Sequence, residues 1–284
     1  MQDVVALLTS TVIFLFAQDS SGAFPIGTGF VVGYPAPGKP GKVIPLVVTA
    51  KHVIGDHTKL FGRFSAKDGK SPVLAYDVTQ LRRSGDFWEN PNLGVDIVVF
   101  RTEQPQTASY SPFPLELIAS KEKFRAEAIR TTDQVIFPGL LVHFMGDSRN
   151  YPIVRTGSIA LIPDEEIPLR YRIGSKLMVT RQEAILLDGT AVQGESGSPV
   201  FLSPTPRQKG NTLVMSGTTP LLLGVLHGFY NAPPRETQNI PANASQTFSE
   251  NANIAIVFPS WKLLEILHLK ALVSRMEQIA KMIP

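Results

Sequence analysis

The strongest constraint on the fold of this chain is its rhythm of short apolar runs, each closed by Gly, Pro, Asn or Asp. Strand candidates lie at Thr11–Gln18, Gly29–Val32, Pro45–Thr49, Val73–Thr79, Asp96–Arg101, Leu140–Met145, Arg155–Leu161, Lys176–Thr180, Glu183–Leu187, Pro199–Leu202, Leu222–Leu226 and Ile254–Phe258. Many short strands with turn residues between them predict a β-sandwich or β-barrel. Helix signals are few. Lys121–Arg130 reads as a connecting helix. From Ser260 onward an N-cap candidate precedes apolar Trp261, Leu264, Leu267, Ala271 and Met276, which predicts one amphipathic helix closing the chain.

The 284 residues, 43% of them apolar, suffice for one large domain or two small ones. The strand candidates divide into two similar sets near Pro112–Arg130. We therefore expect an all-β fold of two tandem six-stranded antiparallel barrels, residues 1–118 and 119–259, with a C-terminal helix over 260–284. Gly33–Lys42, Ser203–Pro220 and Asn231–Asn253 read as long loops.

The chain has no cysteine. That excludes a disulfide scaffold, a cysteine nucleophile and thiolate-held zinc or iron–sulfur centres. With 27 Lys and Arg against 24 Asp and Glu, the net charge is +3, and the basic residues form no stripe, so no nucleic-acid partner is expected. Val4–Ala17 is apolar, but it is preceded by Asp3 rather than by a basic residue. It is also shorter than the ~20 residues needed to cross a bilayer. It reads as a short helix capped by Asp3 and then a buried strand. No membrane span is expected. The location expected is cytoplasmic, or periplasmic or secreted if this segment is a targeting signal.

Chemistry is thereby left to serine, histidine and carboxylates. Three strings stand out: Thr49-Ala50-Lys51-His52-Val53, Gly94-Val95-Asp96-Ile97-Val98-Val99 and Gly194-Glu195-Ser196-Gly197-Ser198-Pro199. A serine hydroxyl needs a histidine to take its proton, and the imidazole needs a carboxylate to fix its tautomer. The attacked carbonyl needs backbone N–H donors, which a Gly-x-Ser turn can aim at one point.

These strings resemble the TAxH, D-I/L-A-V/L-L and GxSGGP blocks of the trypsin-like, chymotrypsin-fold serine peptidases. The order His–Asp–Ser is theirs, whereas α/β-hydrolases and subtilisins use other orders. The likeness is nearest to the cysteine-free bacterial branch, including the Deg/HtrA type. Ile26-Gly27-Thr28-Gly29-Phe30-Val31-Val32 resembles that branch's G-S/T-G-F strand, Pro138-Gly139 its PG-led strand, and Arg155-Thr156-Gly157-Ser158-Ile159 its V-T-x-G-x-V-S segment. No PDZ domain is expected after the C-terminal helix.

The resemblance implies a trypsin-like serine endopeptidase that uses no cofactor. His52 would be general base then acid, Asp96 its orienting carboxylate and Ser196 the nucleophile. The N–H groups of Gly194 and Ser196 would form the oxyanion hole, and Gly197 would allow close backbone approach. Ser198 stands where Gly is commoner, as it does in glutamyl endopeptidases. In trypsin itself a freed N-terminus pairs with an Asp before the nucleophile. Here that neighbour is Glu195 and no such cleavage motif precedes Ile26, so activation of that kind is not expected.

The partner implied is a polypeptide, its backbone pairing with Gly224-Val225-Leu226-His227-Gly228-Phe229. Thr190 would lie near the base of the primary pocket, and the lack of Asp there disfavours an Arg or Lys preference. Two registers are open for His227. One places it, with Gly228, among substrate-binding residues facing an acidic side chain; the other sets it beside Asp96.

His57, His143 and His268 lack the Thr-Ala lead-in and read as solvated residues. No HExxH spacing exists, so no metal site is expected. Gly27-Thr28-Gly29 lacks the third glycine of a dinucleotide loop. The Asn243-Ala244-Ser245 sequon matters only in a glycosylating compartment. Two alternatives to the endopeptidase remain open: a trypsin-fold binding or regulatory protein that is inactive, or active only when a regulatory protein partner orders its loops, and an acyl transferase with the same triad.

Overall fold

In a computed structural model, the residues described are 4–66, 69–190, 192–209, 212–214, 220–231 and 251–283. Asp3, Ala191, the Asn243 sequon and the rest of the stretch 232–250 lie outside them.

The first half holds strands β1 (Val12–Asp19), β2 (Gly22–Pro35), β3 (Val43–Thr49), β4 (Lys59–Arg63), β5 (Val73–Asp77), β6 (Phe87–Glu89), β7 (Val98–Arg101) and β8 (Phe113–Pro114). Seven of them form one curled antiparallel sheet in the order β5-β4-β1-β2-β3-β7-β6, and β8 runs parallel beside β2. Side chains alternate across a strand. Val31 and Val47 therefore enter a core within this half, with Ile13, Leu60, Phe64 and Phe100. Their neighbours Phe30, Val32, Leu46 and Val48 face the other way, into a second core shared with Phe201, Phe258 and the C-terminal helices. That two-sided burial explains why the central strands read as unbroken apolar runs.

The second half contains a closed six-stranded barrel of β9 (Gln134–Gly139), β10 (Ile153–Leu161), β13 (Ile185–Asp188), β14 (Pro199–Leu202), β17 (Leu222–Asn231) and β18 (Asn251–Pro259), in the order β10-β13-β18-β17-β14-β9. Val135, Phe137, Ile159, Leu187, Val200, Leu226 and Val257 fill it. Two ribbons stand apart, β11 (Ile167–Ile173) with β12 (Lys176–Gln182) and β15 (Arg207–Lys209) with β16 (Thr212–Val214). The latter lies inside the stretch read as the loop Ser203–Pro220.

Several local expectations shift. The strand expected at Leu140–Met145 lies earlier, at β9. Pro138 sits beyond the part of β9 that pairs with β14, so its missing N–H breaks no bond on that side. Residues 140–150 form a loop held by Arg63, whose guanidinium donates to the carbonyls of Met145 and Gly146 at 2.6 and 2.9 Å and to Asn150 Oδ1 at 2.6 Å. Strand β5 ends at Asp77, whose carboxylate accepts the Gln80 N–H and caps helix Val78–Ser84. The C-terminal helix is broken into Ser260–Leu267 and Lys270–Ala280. Continuing the helical series through Leu263 and Leu267 would bring Lys270 and Ser274 to the buried face. The break at Leu269 lets Leu272, Met276 and Ile279 take it instead, and Ala271 is exposed.

Candidate active site

Strand β3 ends at Thr49, and a single helical turn, Lys51–Ile54, carries His52. Asp96 lies just before β7, fully buried between Val95 and Ile97. Its Oδ1 accepts the His52 backbone N–H at 2.8 Å, and its Oδ2 lies 2.6 Å from His52 Nδ1. One carboxylate thus holds both the backbone and the ring of His52. Burial works against the ionised Asp96, but the two imidazoles beside it hold its carboxyl well below the usual carboxylate range. For His52, burial opposes the charged form, yet the charge and hydrogen bond of Asp96 outweigh it and lift the pKa above the ordinary value.

The second imidazole is His227. Strand β17 is bulged there, with Leu226 opposite Val257 and Gly228 opposite Ile256, so His227 is the extra residue. Such a bulge re-aims a side chain. Nδ1 of His227 lies 2.5 Å from Asp96 Oδ2, the ring packs edge-on against Tyr171 and Phe258, and the residue is 9% exposed. Of the two registers open to His227, the fold adopts the one beside Asp96. This corrects its assignment as a substrate-contacting residue: its Nδ1 is committed to the carboxylate and its ring is buried. Gly228 does stand near the nucleophile candidate, and a Cβ built on it would come to 3.9 Å from Ser196 Oγ. Thr190 is exposed at the start of the loop that leads to Ser196.

Ser196 sits on a loop clamped by the first half of the chain. The Thr28 N–H donates to the Ser196 carbonyl at 2.9 Å, and Thr28 Oγ1 donates to the Gly194 carbonyl at 2.7 Å while accepting the Leu140 N–H at 2.9 Å. Gly197 has φ +87°, and a Cβ there would strike the Thr28 carbonyl, so the position requires glycine. With the two carbonyls turned onto Thr28, the N–H groups of Gly194 and Ser196 have no hydrogen-bond partner among the described residues. Ser196 Oγ donates to the His227 carbonyl at 2.9 Å, and no hydrogen bond joins it to His52.

Glu195 points away from the cleft into the protein and is fully buried. Its Oε1 accepts Arg155 Nε at 2.7 Å and its Oε2 accepts the Val192 N–H at 2.7 Å. Ser198 is also fully buried, and its hydroxyl has no partner among the described residues. Thr28, Arg155 and the bulge at His227 were not assigned from sequence. Thr28 and Arg155 fall within the strings Gly27-Thr28-Gly29 and Arg155-Thr156-Gly157, but nothing in those strings signals contact with the Ser196 loop.

The ring nitrogens of His52 and His227 and the Asp96 carboxylate lie within 4.8 Å of one another, near enough to be metal ligands. Ligands of a tetrahedral zinc, however, sit about 3.3 Å apart at Zn–N and Zn–O lengths of about 2.0–2.1 Å. The N···O distances of 2.5 and 2.6 Å fit shared protons instead. His57 packs against Phe24, outside the cluster.

No protein-family model and no curated protein sequence matches the chain. Among solved structures it is similar to the Rv3671c protease of M. tuberculosis in its active form, with 16% identity and a TM-score of 0.48 over 93% of this chain and 82% of that one. It is also similar to an inactive alanine mutant of that protein, with 15% identity and a TM-score of 0.46 over 93% and 89% of the two chains. A third similar structure is the HtrA-type protease AlgW with a decapeptide, with 12% identity and a TM-score of 0.45 over 98% and 66%.

Proposed function

We propose that the chain is a serine endopeptidase that cleaves polypeptides through an acyl-enzyme, with its active site between the two units. The observation that carries this reading is the buried Asp96 carboxylate, which holds the His52 ring and backbone beside a Gly-x-Ser loop whose carbonyls are tied to Thr28.

In this mechanism Ser196 Oγ attacks the scissile carbonyl carbon as its proton passes to His52 Nε2. The carbonyl π electrons move to oxygen, and the Gly194 and Ser196 N–H groups stabilise that charge. The tetrahedral intermediate then collapses, and His52 returns the proton to the departing amine. Water attacks the resulting ester by the same route and regenerates Ser196. Asp96 remains ionised, fixing the His52 tautomer and stabilising the imidazolium. Within Gly224–Phe229, the residues beyond the pairing with β14, 227–229, would pair with the substrate backbone, placing Gly228 beside Ser196. Thr190 would lie near the base of the primary pocket, and its side chain brings no carboxylate there.

A second reading, a protein held inactive until a partner acts on it, is favoured by one observation: Ser196 Oγ bonds the His227 carbonyl rather than His52. In the active reading the hydroxyl swings to His52 when substrate arrives, as catalytic hydrogen bonds often tighten only in the complex. Incubating wild type and S196A with an unstructured, fluorescently labelled polypeptide separates the readings. Peptide release by wild type alone supports the endopeptidase. Release by neither supports the partner-dependent reading, and equal release by both defeats the assignment of Ser196.

A further inference from the structure

Resting on the endopeptidase reading, we propose that Arg155 is a positioning residue: through Glu195 it locks the Val192–Glu195 turn so that the Gly194 N–H is held for the developing oxyanion. The cation that organises the nucleophile loop is thus a side chain from strand β10 of the same barrel, and no cleavage of the chain is needed to supply it.

The geometry is local and closed. The Glu195 N–H donates to the Val192 carbonyl at 3.2 Å, the i to i+3 bond of a β-turn whose central residues are Gln193 and Gly194. Gly194 has φ +100°, while Gln193 is not among the residues with positive φ, which makes this a type II turn. In a type I turn of the same four residues the peptide joining Gln193 to Gly194 is flipped, and the Gly194 N–H points to the opposite side. The two forms interconvert by rotating one peptide plane, so something must hold the type II form. Two contacts do so. Thr28 Oγ1 holds the Gly194 carbonyl, and the Glu195 carboxylate reaches back to the Val192 N–H at the mouth of the turn.

Glu195 is fully buried, and the charge opposing its own is the Arg155 guanidinium, bonded through Nε to Oε1. Burial pushes the Glu195 carboxyl above its ordinary pKa, and the Val192 N–H and Arg155 work against that rise. Strand β9 runs past the other side at Gly139, where an added Cβ would come to 3.2 Å from Glu195 Cγ. Without Arg155 the buried carboxylate must take a proton or leave, and either event weakens the bond to Val192.

The test compares R155M, R155K, E195Q and the double variant R155M/E195Q in two measurements. The first is the rate of Ser196 acylation by a fluorophosphonate, with kcat and KM on a peptide. The second is amide hydrogen exchange of the segment containing Val192, which does not depend on activity. R155M is expected to acylate about 100-fold more slowly, the size of losing one oxyanion donor, with the loss in kcat and not KM. The double variant removes the unpaired charge, while the amide oxygen of the glutamine introduced by E195Q still accepts from Val192. It is expected to recover about tenfold of that loss. R155K keeps the charge without the planar fork and should fall between R155M and wild type. Exchange at Val192 should speed up in R155M and slow again in the double variant.

Acylation and exchange within threefold of wild type in R155M, or a double variant no better than R155M, would overturn the proposal. Should R155M fail to fold, R155K decides: acylation and exchange equal to wild type overturn the proposal, and a kcat-specific loss supports it. If wild type itself does not acylate, the endopeptidase reading fails. The exchange data then still decide whether Arg155 holds the turn.

Discussion

His227 Nδ1 lies 2.5 Å from Asp96 Oδ2, the same oxygen that His52 Nδ1 approaches at 2.6 Å. Two imidazoles therefore share one buried carboxylate oxygen, but only His52 also bonds the second oxygen, through its backbone N–H. His52 is consequently the better anchored of the two. Removing His227 leaves both His52 contacts in place. H227A is expected to acylate less than about tenfold more slowly than wild type, while H52A loses about 10³-fold or more. The same H227A change removes a hydrogen bond to a buried charge and should cost about 1.5–3 kcal/mol in denaturant unfolding. H227N, which retains a donor, should cost less.

Both pKa shifts at this cluster predict a pH dependence of stability, with opposite signs. The pKa of His52 is raised above its ordinary value of 6.5. Its contribution is fully present below pH 6.5 and is lost as pH rises through the higher folded value. The pKa of Asp96 is depressed below its ordinary value of 3.8. Its contribution is present above that pH and is lost as pH falls through the folded value. Urea unfolding across a pH series should show both losses in wild type. H52A should lack the alkaline one, and kcat/KM of wild type should decline on the acid side with a midpoint above 6.5.

Thr28 is expected to matter more for catalysis than its distance in sequence suggests. Among the described residues its hydroxyl is the only partner of the Gly194 carbonyl and the Leu140 N–H. T28V keeps the shape and orphans both groups, at about 1–3 kcal/mol each in unfolding free energy. It should also slow acylation, because the Gly194 carbonyl is freed to turn. T28S restores the hydroxyl and should behave close to wild type in both measurements.

Ser198 offers the opposite expectation. Its hydroxyl is fully buried without a partner among the described residues, so S198A removes an unsatisfied group and loses no bond. Thermal unfolding of S198A should show unchanged stability or a gain of up to about 1 kcal/mol. A clear loss would mean that the hydroxyl is bonded in solution.

The strings around His52, Asp96 and Ser196 stand out in the sequence because each is a local pattern at a strand end or tight turn, where a few residues determine geometry, and the fold brings His52 onto Asp96. The two-sided apolar strands were readable for the same reason: burial on both faces leaves an unbroken apolar run such as Val12–Ala17. What escaped depended on pairing across the fold. The orientation of His227 is decided by a bulge against β18, which Gly224-Val225-Leu226-His227-Gly228 does not reveal by itself. Arg155 and Glu195 meet because β10 lies beside the nucleophile loop, and no local pattern links two residues 40 positions apart. The strand placed at Leu140–Met145 misled because an apolar run after Pro138-Gly139 looks the same whether it pairs or packs; here Leu140 packs against Val12, Phe14 and Phe16.

The central claim is that Ser196 is a nucleophile activated by a His52 imidazole held on Asp96. It is tested most directly by mass-spectrometric mapping of the residue that a fluorophosphonate modifies in wild type, S196A and H52A. The expected result is one modification on Ser196 in wild type, none in S196A, and a rate reduced by about 10³-fold or more in H52A. Equal modification of wild type and S196A, or a label placed on another residue, would contradict it.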